Sequence, residues 1–428
     1  MKRLLMISFP FPPNATAGAV RSERFARYLP ELGWSVDVVT IKPKDVFFQD
    51  NARLKYLGPN VNVHLTKHFD PWAWLLFKRP TSVWLKVLRS VFMRLFSFPD
   101  HLIFWIPFAL KKSLLVCKQN HIDAIYTTSP PHSTHLAGLI LSKLTKKPWV
   151  TDFRDPWTLN ALRNKGTFEG LLSNIEKIME KCVLRKASVI LANTQVNRKN
   201  LLANFPFLKE EKVVHLPNGW EEFPLEFYRS GRKGGPLTVV HAGNFYSHFK
   251  PYGLLYALAA WRNGERSPDI PPLKNKDIKV ILLGSRDEAA ARVSKELNIS
   301  EFVEVRQWVA LEDARKIMCE ADLLWASLGT GNESSTFIPS KLFEYIAAKK
   351  PIIGFFPEGE AASLIRETGT GFVFTNDDPI PIIQFLNDMI LKKSGRIPAW
   401  YNPNYSVINK YNIKTITSEL SQILNDMV

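Results

Sequence analysis

The sequence predicts an α/β protein made of two doubly wound domains, and three observations carry that prediction. The chain has 428 residues, which is too long for one ordinary hydrophobic core. Short apolar or β-branched runs alternate with helical patterns along its length, as expected for parallel strands that are buried on both faces and joined by helices. The alternation restarts after a loop rich in glycine and basic residues at 230–236.

Six strands are predicted before this loop and five after it. They are Arg3–Phe9, Ser35–Thr40, Asp123–Thr128, Trp149–Phe153, Val189–Ala192, Val213–Leu216, Leu237–His241, Ile278–Leu283, Val303–Trp308, Leu323–Ala326 and Pro351–Phe356. With the loop as a linker, the first domain covers residues 1–230 and the second covers residues 236–395. Residues 396–428 are predicted as a helical segment, and the sequence leaves its packing partner open.

Composition narrows the class of protein. Hydrophobic residues make up 46% of the chain and charged residues 22%, values that exclude wholesale disorder. The three cysteines lie too far apart for a zinc knuckle or a disulfide framework, so a reducing, cytoplasmic compartment is expected. The first apolar run is short and meets Pro10, which favours a buried strand over a signal peptide. No run approaches the length of a transmembrane helix.

Charge is the unusual property of this chain. Lys and Arg number 56 against 40 Asp and Glu, a formal net charge of +16, so anionic partners are expected: nucleic acid, acidic lipid or phosphorylated ligands. Segment 67–118 concentrates basic residues among tryptophans and phenylalanines. As a helix it would place Lys86, Arg89 and Arg94 away from an apolar face, the pattern of a helix lying in a membrane interface. A buried helix with a solvated polar face and a single-stranded nucleic-acid site are the alternatives.

Ligands of doubly wound sheets bind where strands lead into helices, and with two sheets the expected site is the cleft between them. In the first such loop, Gly18 and Ala19 allow close approach of backbone to an anion, although a flexible connection fits equally. Ser129 and His132, in the loop at 127–135, could hold sugar hydroxyls or relay a proton, or could merely cap a helix.

The remaining loops add charged groups. Asp152, Arg154 and Asp155 end a strand, where they could orient a polyol acceptor or form a structural ion pair. In the second domain, Gly243 and Asn244 leave a strand, and Lys250 follows them as a point charge for a diphosphate. A helix is predicted to open with Pro339 as its first residue. Ser340 and Lys341 at its start would bind an anion, and Glu344 could accept ribose hydroxyls or could be a surface residue.

Together these loops give a more specific signal than any one of them. Over nearly its full length the chain resembles the retaining glycosyltransferases of family 4, particularly those that build envelope or capsular polysaccharide or O-antigen. The resemblance lies in Gly18–Arg21, Tyr28–Trp34, Pro99–Trp105, Ser129–His132, Asp152–Trp157, Pro217–Gly219 and Pro339–Tyr345. It implies the GT-B fold, in which two Rossmann-like domains face each other across a cleft.

The resemblance also implies roles for individual residues. Catalytic roles fall to Asp155, His132, Lys250 and Lys341. Donor binding falls to Gly18, Ala19, Gly243, Asn244, Trp308, Val309, Thr336, Ser340 and Glu344, and acceptor binding to Arg21, Ser129, Asp152 and Arg154.

Three positions depart from the family's pattern. Asn244 stands where the family has an arginine, Thr336 replaces the first glutamate of its Glu-x7-Glu motif, and Ser129 replaces a histidine. Lys341 could supply the missing positive charge, Glu333 or Thr336 could contact the sugar, and His132 lies near the missing histidine.

The expected function is transfer of a sugar from a nucleotide-diphosphate sugar to a membrane-bound, polyprenyl-linked glycan. No metal or other cofactor and no nucleic acid are expected, and the protein should sit peripherally on the inner face of the cell membrane, an anionic surface. The alternatives are a sugar-nucleotide epimerase of the same fold and a non-catalytic protein that binds lipid or nucleic acid.

Overall fold

A computed structural model describes residues 1–43, 49–69, 84, 98–160, 169–229, 235–245, 249–284, 288–392 and 400–428. The chain divides into two compact units. The first contains Met1–Asn218 together with Ile413–Val428, and the second contains Gly219–Asn412.

The first unit is built on a parallel sheet of seven strands in the order β3-β2-β1-β4-β5-β6-β7. Its strands are β1 (Lys2–Ile7), β2 (Trp34–Ile41), β3 (Val61–Thr66), β4 (Ala124–Ser129), β5 (Trp149–Phe153), β6 (Val189–Ala192) and β7 (Val213–His215). The α-helices of five or more residues that the structure describes in this unit are α1 (Ala17–Tyr28), α2 (Ile106–Gln119), α3 (Ser133–Thr145), α4 (Glu169–Lys186) and α5 (Gln195–Asn204), with the C-terminal helix described below.

Strands that are buried on both faces explain why helices cover both faces of this sheet. All eight residues of β2 are buried, and β4 and β5 are buried throughout. One core cluster joins the sheet to α2, α3 and α4 through Ala109, Ala137 and Val183. The other lies on the opposite side and joins the sheet to α1. The strand order reverses between β1 and β4, and in open α/β sheets ligands bind beside such a reversal.

The second unit is built on a parallel sheet of six strands in the order β10-β9-β8-β11-β12-β13. The strands are β8 (Leu237–Ala242), β9 (Ile278–Leu283), β10 (Val303–Arg306), β11 (Leu323–Ser327), β12 (Ile352–Phe355) and β13 (Gly371–Phe374). The helices are α6 (Gly253–Arg262), α7 (Glu288–Glu296), α8 (Leu311–Glu320), α9 (Lys341–Ala347), α10 (Glu360–Thr368), α11 (Pro379–Lys392) and α12 (Tyr405–Ile408). The strand order reverses between β8 and β11.

The two doubly wound sheets confirm the predicted fold class, and all eleven predicted strands are present. Two strands, β3 and β13, were missed by the sequence prediction. Both lie at a sheet edge, and most of their residues are only partly buried. An edge strand does not need the continuous apolar run that identifies a central parallel strand.

The division of the chain differs from the predicted one. The first unit ends at Asn218 rather than at residue 230, and residues 230–234 of the predicted linker at 230–236 lie outside the described residues. The last helix, α13 (Ile413–Asp426), returns to the first unit and packs on α1. Its buried residues Ile416, Leu420 and Leu424 join the core beside Phe25. These contacts identify the packing partner that the sequence left open.

The structure describes only part of the predicted membrane segment at 67–118. Residues 70–83 and 85–97, including Lys86, Arg89 and Arg94, lie outside the described residues. Within the described part of the chain, no helix is long and apolar enough to cross a membrane.

The packing of α13 gives a stability prediction. Leu420→Ala removes a fully buried side chain from the core of the first unit and should lower its free energy of unfolding by about 2–5 kcal/mol. Ser418→Ala, two residues away on the exposed face, should change it by less than about 0.5 kcal/mol. Urea unfolding of both variants measures the difference, and equal stability of the two would contradict the assignment of α13 to this core.

Candidate functional site

The strand reversal in the second unit opens a gap between β8 and β11. The two strands pair only at Leu323–Val239 and Leu324–Val240. Beyond this point side chains take over the hydrogen bonds of the backbone. The ring Nδ1 of His241 lies 2.9 Å from the carbonyl oxygen of Trp325. The hydroxyl of Tyr345 accepts a bond from the amide of Ala242 and donates one to the same Trp325 oxygen, at 2.9 and 3.1 Å.

These bonds fix the tautomer of His241. A carbonyl oxygen only accepts, so Nδ1 carries the proton and Nε2 has a free lone pair. The ammonium of Lys341, at the start of α9, donates to this Nε2 at 2.9 Å and to the carbonyl oxygen of Asn244 at 3.1 Å. The gap in the sheet therefore holds a lysine ammonium whose two hydrogen-bond acceptors are both neutral.

Burial changes the proton affinity of both groups. It lowers the pKa of Lys341 to about 7 because the charged form loses hydration. Burial, and then the charge of Lys341, hold the pKa of His241 well below its ordinary value, so the imidazole is neutral. A lysine with a pKa near neutrality at the carboxyl edge of a parallel sheet is a candidate functional group.

Gly243 lies beside the ammonium of Lys341. Its φ of +89° is a conformation that favours glycine, and its amide donates to the carbonyl oxygen of Leu283. A Cβ at this position would lie 3.8 Å from the Nζ of Lys341. A side chain at Gly243 would therefore extend over the ammonium, and glycine leaves that approach open.

Glu344, the predicted ribose ligand, lies one turn into α9 and pairs with Arg315 of α8. Their Oε2 and Nε atoms are 3.1 Å apart, and Arg315 also lies 3.7 Å from a carboxylate oxygen of Glu221. The helix begins at Lys341 with Ser340 as its N-cap, so the prediction of Pro339 as the first helical residue is wrong. The amide of Leu342 bonds the carbonyl oxygen of Pro339 three residues back, which places Pro339 in a tight turn before the helix.

Several other predicted donor residues belong to the same unit. Asn244 and Ser340 are exposed and Thr336 is half-buried. Lys250 is exposed with a φ of +48°, and its carbonyl oxygen accepts the amide of Tyr252. Trp308 is 43% exposed, and Val309 is the next residue; both lie in the segment after β10. The described loops thus keep these side chains accessible beyond the strand ends.

In the first unit, Arg21 and Asp152 form a buried ion pair. Two nitrogens of Arg21 meet the two carboxylate oxygens of Asp152 at 2.9 and 3.0 Å. Asp152 also accepts bonds from the hydroxyls of Tyr126 at 2.5 Å and Thr128 at 3.0 Å. The guanidinium further donates to the carbonyl oxygens of Leu216 and Pro217 and to the amide oxygen of Asn218.

This network uses all five N–H donors of Arg21, and both residues are at most 5% exposed. The prediction that Arg21 and Asp152 bind the acceptor therefore fails on geometry, because neither has a group left to offer. Ala19, predicted near the donor, is likewise fully buried, and its amide already bonds the carbonyl oxygen of Thr16. The sequence left an Asp–Arg structural pair open, but with Arg154 as the expected partner.

Arg154 instead holds the loops that surround it. Its guanidinium donates to the carbonyl oxygens of Gly18, Ser129 and Pro130. A Cβ at Gly18 would lie 3.0 Å from an Arg154 nitrogen, a tight contact that glycine avoids. Arg154 thus joins the loops of Gly18 and Ser129 through their backbone oxygens.

The loops after β4 and β5 carry three further residues that the resemblance assigned to the site, Ser129, His132 and Asp155. The hydroxyl of Ser129 is buried and has no hydrogen-bond partner in the described structure. The ring of His132 stacks on Trp157 with centroids 5.1 Å apart. Asp155 lies in the adjoining loop, where burial raises the pKa of its carboxyl against the opposing charge of Arg154. These three residues retain chemistry that a ligand could use.

Sequence reasoning missed three residues of these sites. His241 accepts a bond from the ammonium of Lys341. His241 and Tyr345 also bond the backbone groups that are left unpaired between β8 and β11. Asp100 accepts bonds from the amide and the hydroxyl of Ser133, at 2.8 and 2.7 Å, and so anchors the loop before α3. A histidine inside the otherwise apolar run of β8 was a usable signal. The partners of Asp100 and Tyr345 are distant in sequence and left no such signal.

A metal site was not expected from the sequence. Among the residues that the structure describes, no group of three His, Cys, Asp or Glu could hold a metal ion.

Solved structures with the same architecture cover essentially the whole chain. HepE from Anabaena in complex with UDP-glucose is 15% identical, with a TM-score of 0.64 and 100% of both chains covered. Sucrose-phosphate synthase from Thermosynechococcus elongatus is 15% identical, with a TM-score of 0.68 and coverage of 100% of this chain and 99% of that one. A TarM mutant from S. aureus, in complex with Fondaparinux, alpha-GlcNAc-glycerol and UDP, is 11% identical, with a TM-score of 0.61 and 99% and 100% covered.

These structural similarities establish the fold, and a match to a family model indicates the activity. Residues 18–221 match the family model described as Glycosyltransferase Family 4. The chain is a glycosyltransferase with the GT-B fold. No curated protein matches the sequence of this glycosyltransferase at a significant level.

The buried network of the glycosyltransferase gives a prediction that separates a structural role from acceptor binding. Asp152→Ala should lower the free energy of unfolding by about 3–5 kcal/mol, because it leaves the guanidinium of Arg21 buried without its carboxylate. Tyr126→Phe removes one of the four bonds to Asp152 and should cost less, about 1.5–3 kcal/mol, as for a hydrogen bond to a charged group. Urea unfolding followed by tryptophan fluorescence measures both. If Asp152→Ala is as stable as the wild type, Asp152 is free for another role.

Proposed function

We propose that this glycosyltransferase moves a sugar, with retention of anomeric configuration, from a nucleoside-diphosphate sugar to a polyprenyl-linked glycan on a membrane. The product would be a precursor of a cell-surface polysaccharide. The observation that carries the donor half of the proposal is the ammonium of Lys341, held at the strand reversal by His241 and the carbonyl oxygen of Asn244.

Lys341 would bind the diphosphate and stabilise the charge that develops on it as the sugar leaves. An ammonium has three N–H donors, and two of them go to His241 and Asn244. The third can donate to a phosphate oxygen. The family's arginine at position 244 is absent, so Lys341 and Lys250 would supply the positive charge. We therefore propose that transfer needs no metal ion.

UDP is the nucleotide that the similar structures favour. HepE is described in complexes with UDP and with UDP-glucose, and TarM in a complex with UDP. By position, Glu344 would accept the ribose hydroxyls, and Trp308 and Val309 would border the base. Thr336 or Glu333 would contact the sugar. Because Glu344 pairs with Arg315, ribose binding would share this carboxylate with the guanidinium or displace it.

For the acceptor side we propose Ser129, His132 and Asp155 of the first unit. The hydroxyl of Ser129 is buried and free to bond a sugar hydroxyl. The raised pKa of Asp155 makes its carboxylate a better proton acceptor, as a group that orients an attacking hydroxyl requires. The net charge of +16 favours an acceptor with an anionic diphosphate linkage on an anionic membrane.

Release of UDP tests the function directly. Purified protein is incubated with UDP-glucose and other UDP-sugars, with and without a polyprenyl-diphosphate-linked sugar in detergent. Release of UDP that requires the acceptor, and that continues in excess EDTA, is the expected result. UDP release with epimerisation of the sugar and no acceptor would indicate an epimerase instead. Binding of UDP-sugars without any turnover on such acceptors would leave the proposal unsupported.

The pKa of Lys341 predicts how donor affinity depends on pH. UDP-glucose carries no phosphate group that titrates near neutrality, so its affinity should follow the charge of Lys341. A lysine with a pKa of about 7 is charged below that pH, and affinity should fall about fivefold between about pH 7 and pH 8. Lys341→Arg keeps its charge and should give a flat profile. Calorimetry over this range measures both, and a flat profile for the wild type would contradict the role of Lys341.

Glu344 gives a second donor prediction. If its carboxylate holds the ribose, Glu344→Ala should weaken UDP binding by about 1.5–3 kcal/mol, as for hydrogen bonds to a charged group. Arg315→Ala breaks the same ion pair but leaves the carboxylate, so it serves as the control. Calorimetry with UDP should show a loss in Glu344→Ala well beyond that in Arg315→Ala. Equal losses would mean that the ion pair matters and the ribose contact does not exist.

A further inference from the structure

In the described parts of three neighbouring helices of the first unit, the exposed charges have one sign. Helices α2, α3 and α4 lie side by side on one face of the sheet. Within 106–119, 133–147 and 173–186, every described charged residue that is exposed is basic. These residues are Lys111, Lys118, Lys143, Lys146, Lys177, Lys181, Arg185 and Lys186.

The acidic residues of α4 in this range are turned away from the surface. Glu176 accepts a bond from the indole of Trp157, and Glu180 accepts the hydroxyl of Thr158; both glutamates are at most 1% exposed. The basic surface ends at the connection after α5, where Glu210 and Glu211 are exposed. The described face is therefore cationic, because α2 and α3 contain no acidic residue and Glu176 and Glu180 of α4 are buried.

Large apolar side chains stand exposed between these cations, two among the described residues of each helix. They are Phe108 and Leu115 on α2, Ile140 and Leu144 on α3, and Ile175 and Ile178 on α4. Leu144 is 63% and Ile178 is 59% exposed. Scattered single apolar residues are ordinary on protein surfaces, but six on three adjoining helices, surrounded by one sign of charge, form a patch. We call this surface, with its basic residues, the α2–α4 face.

We propose that the α2–α4 face docks the enzyme on an anionic lipid bilayer. Lysines and arginine would meet the lipid phosphates while the aliphatic side chains enter the boundary between headgroups and acyl chains. Five of the six apolar residues are aliphatic. Single-stranded nucleic acid is bound instead by stacking on aromatic rings, so the composition of the face favours lipid.

This surface is distinct from the segment that the sequence pointed to. Only α2 overlaps the range 67–118, whereas α3 and α4 lie beyond it. The inference rests on the proposed function only for its purpose, which is to bring a membrane-borne acceptor to the enzyme. Attachment itself would follow from charge and apolar surface whatever sugar is transferred.

Charge reversal tests the electrostatic part. The triple variant Lys143→Glu, Lys177→Glu, Lys181→Glu should bind vesicles of phosphatidylcholine with phosphatidylglycerol at least about tenfold more weakly than the wild type, since each basic residue near such a surface contributes about fivefold. The matched control is Lys276→Glu, Lys295→Glu, Lys410→Glu, which changes three exposed lysines of the second unit by the same charge. The control should bind nearly as the wild type does. Equal losses in the two triple variants would overturn the proposal.

The apolar part has its own pair of variants. Leu144→Ser with Ile178→Ser should weaken vesicle binding at high salt, where charge attraction is screened and insertion is not. Leu225→Ser with Leu391→Ser is the control, since both leucines are 67% exposed in the second unit. Vesicle flotation measures binding. Circular dichroism and calorimetric affinity for UDP, both expected to be unchanged, show that each variant is folded.

The outcomes separate this proposal from the proposed function. Loss of vesicle binding with unchanged transfer to a detergent-solubilised acceptor supports the α2–α4 face as the membrane contact. Wild-type protein that does not float with anionic vesicles overturns the face while leaving glycosyl transfer untouched. Binding of a single-stranded oligonucleotide that is lost in the triple variant, without vesicle binding, would assign the face to nucleic acid and also overturn the proposal.

Discussion

Beyond Val240 and Leu324, strands β8 and β11 no longer pair, and the backbone groups freed there must find other partners. The imidazole of His241 and the hydroxyl of Tyr345 supply them. Because Nδ1 of His241 is committed to the Trp325 carbonyl oxygen, its other nitrogen can only accept, and it receives the ammonium of Lys341. His241 thus has two functions: it satisfies the backbone where the sheet divides, and it positions the ammonium of Lys341, on which donor binding would depend.

The two units use buried charge in opposite ways. Arg21 meets a carboxylate and three further oxygens, so its charge and its five donors are satisfied within the protein. Lys341 meets only neutral acceptors, and burial brings its pKa to about 7. A satisfied charge holds a fold together, whereas a desolvated charge without an anion favours an anionic ligand. The contrast explains why residues with similar sequence signals take a structural role in one unit and a candidate binding role in the other.

The sequence predicted the fold class and the central strands because a strand buried on both faces is a continuous apolar run. It missed β3 and β13. Both are edge strands, and most of their residues are only partly buried. Lys341 and Glu344 could be proposed from their place near a helix start. The pairing of Arg21 with Asp152 could not be predicted, since the two residues are 131 positions apart in the chain and meet only because of the strand order. Local patterns identify elements, and contacts between distant elements decide which charges remain available.

The central claim is that the ammonium of Lys341 binds the donor diphosphate. The most direct measurement is an NMR titration of the Lys341 Nζ, with specific isotope labelling, in the free protein and with saturating UDP-glucose. A pKa near 7 in the free protein should rise on binding, because the phosphates stabilise the charged form. A pKa that stays the same in the saturated complex would show that the diphosphate binds elsewhere and would contradict the account.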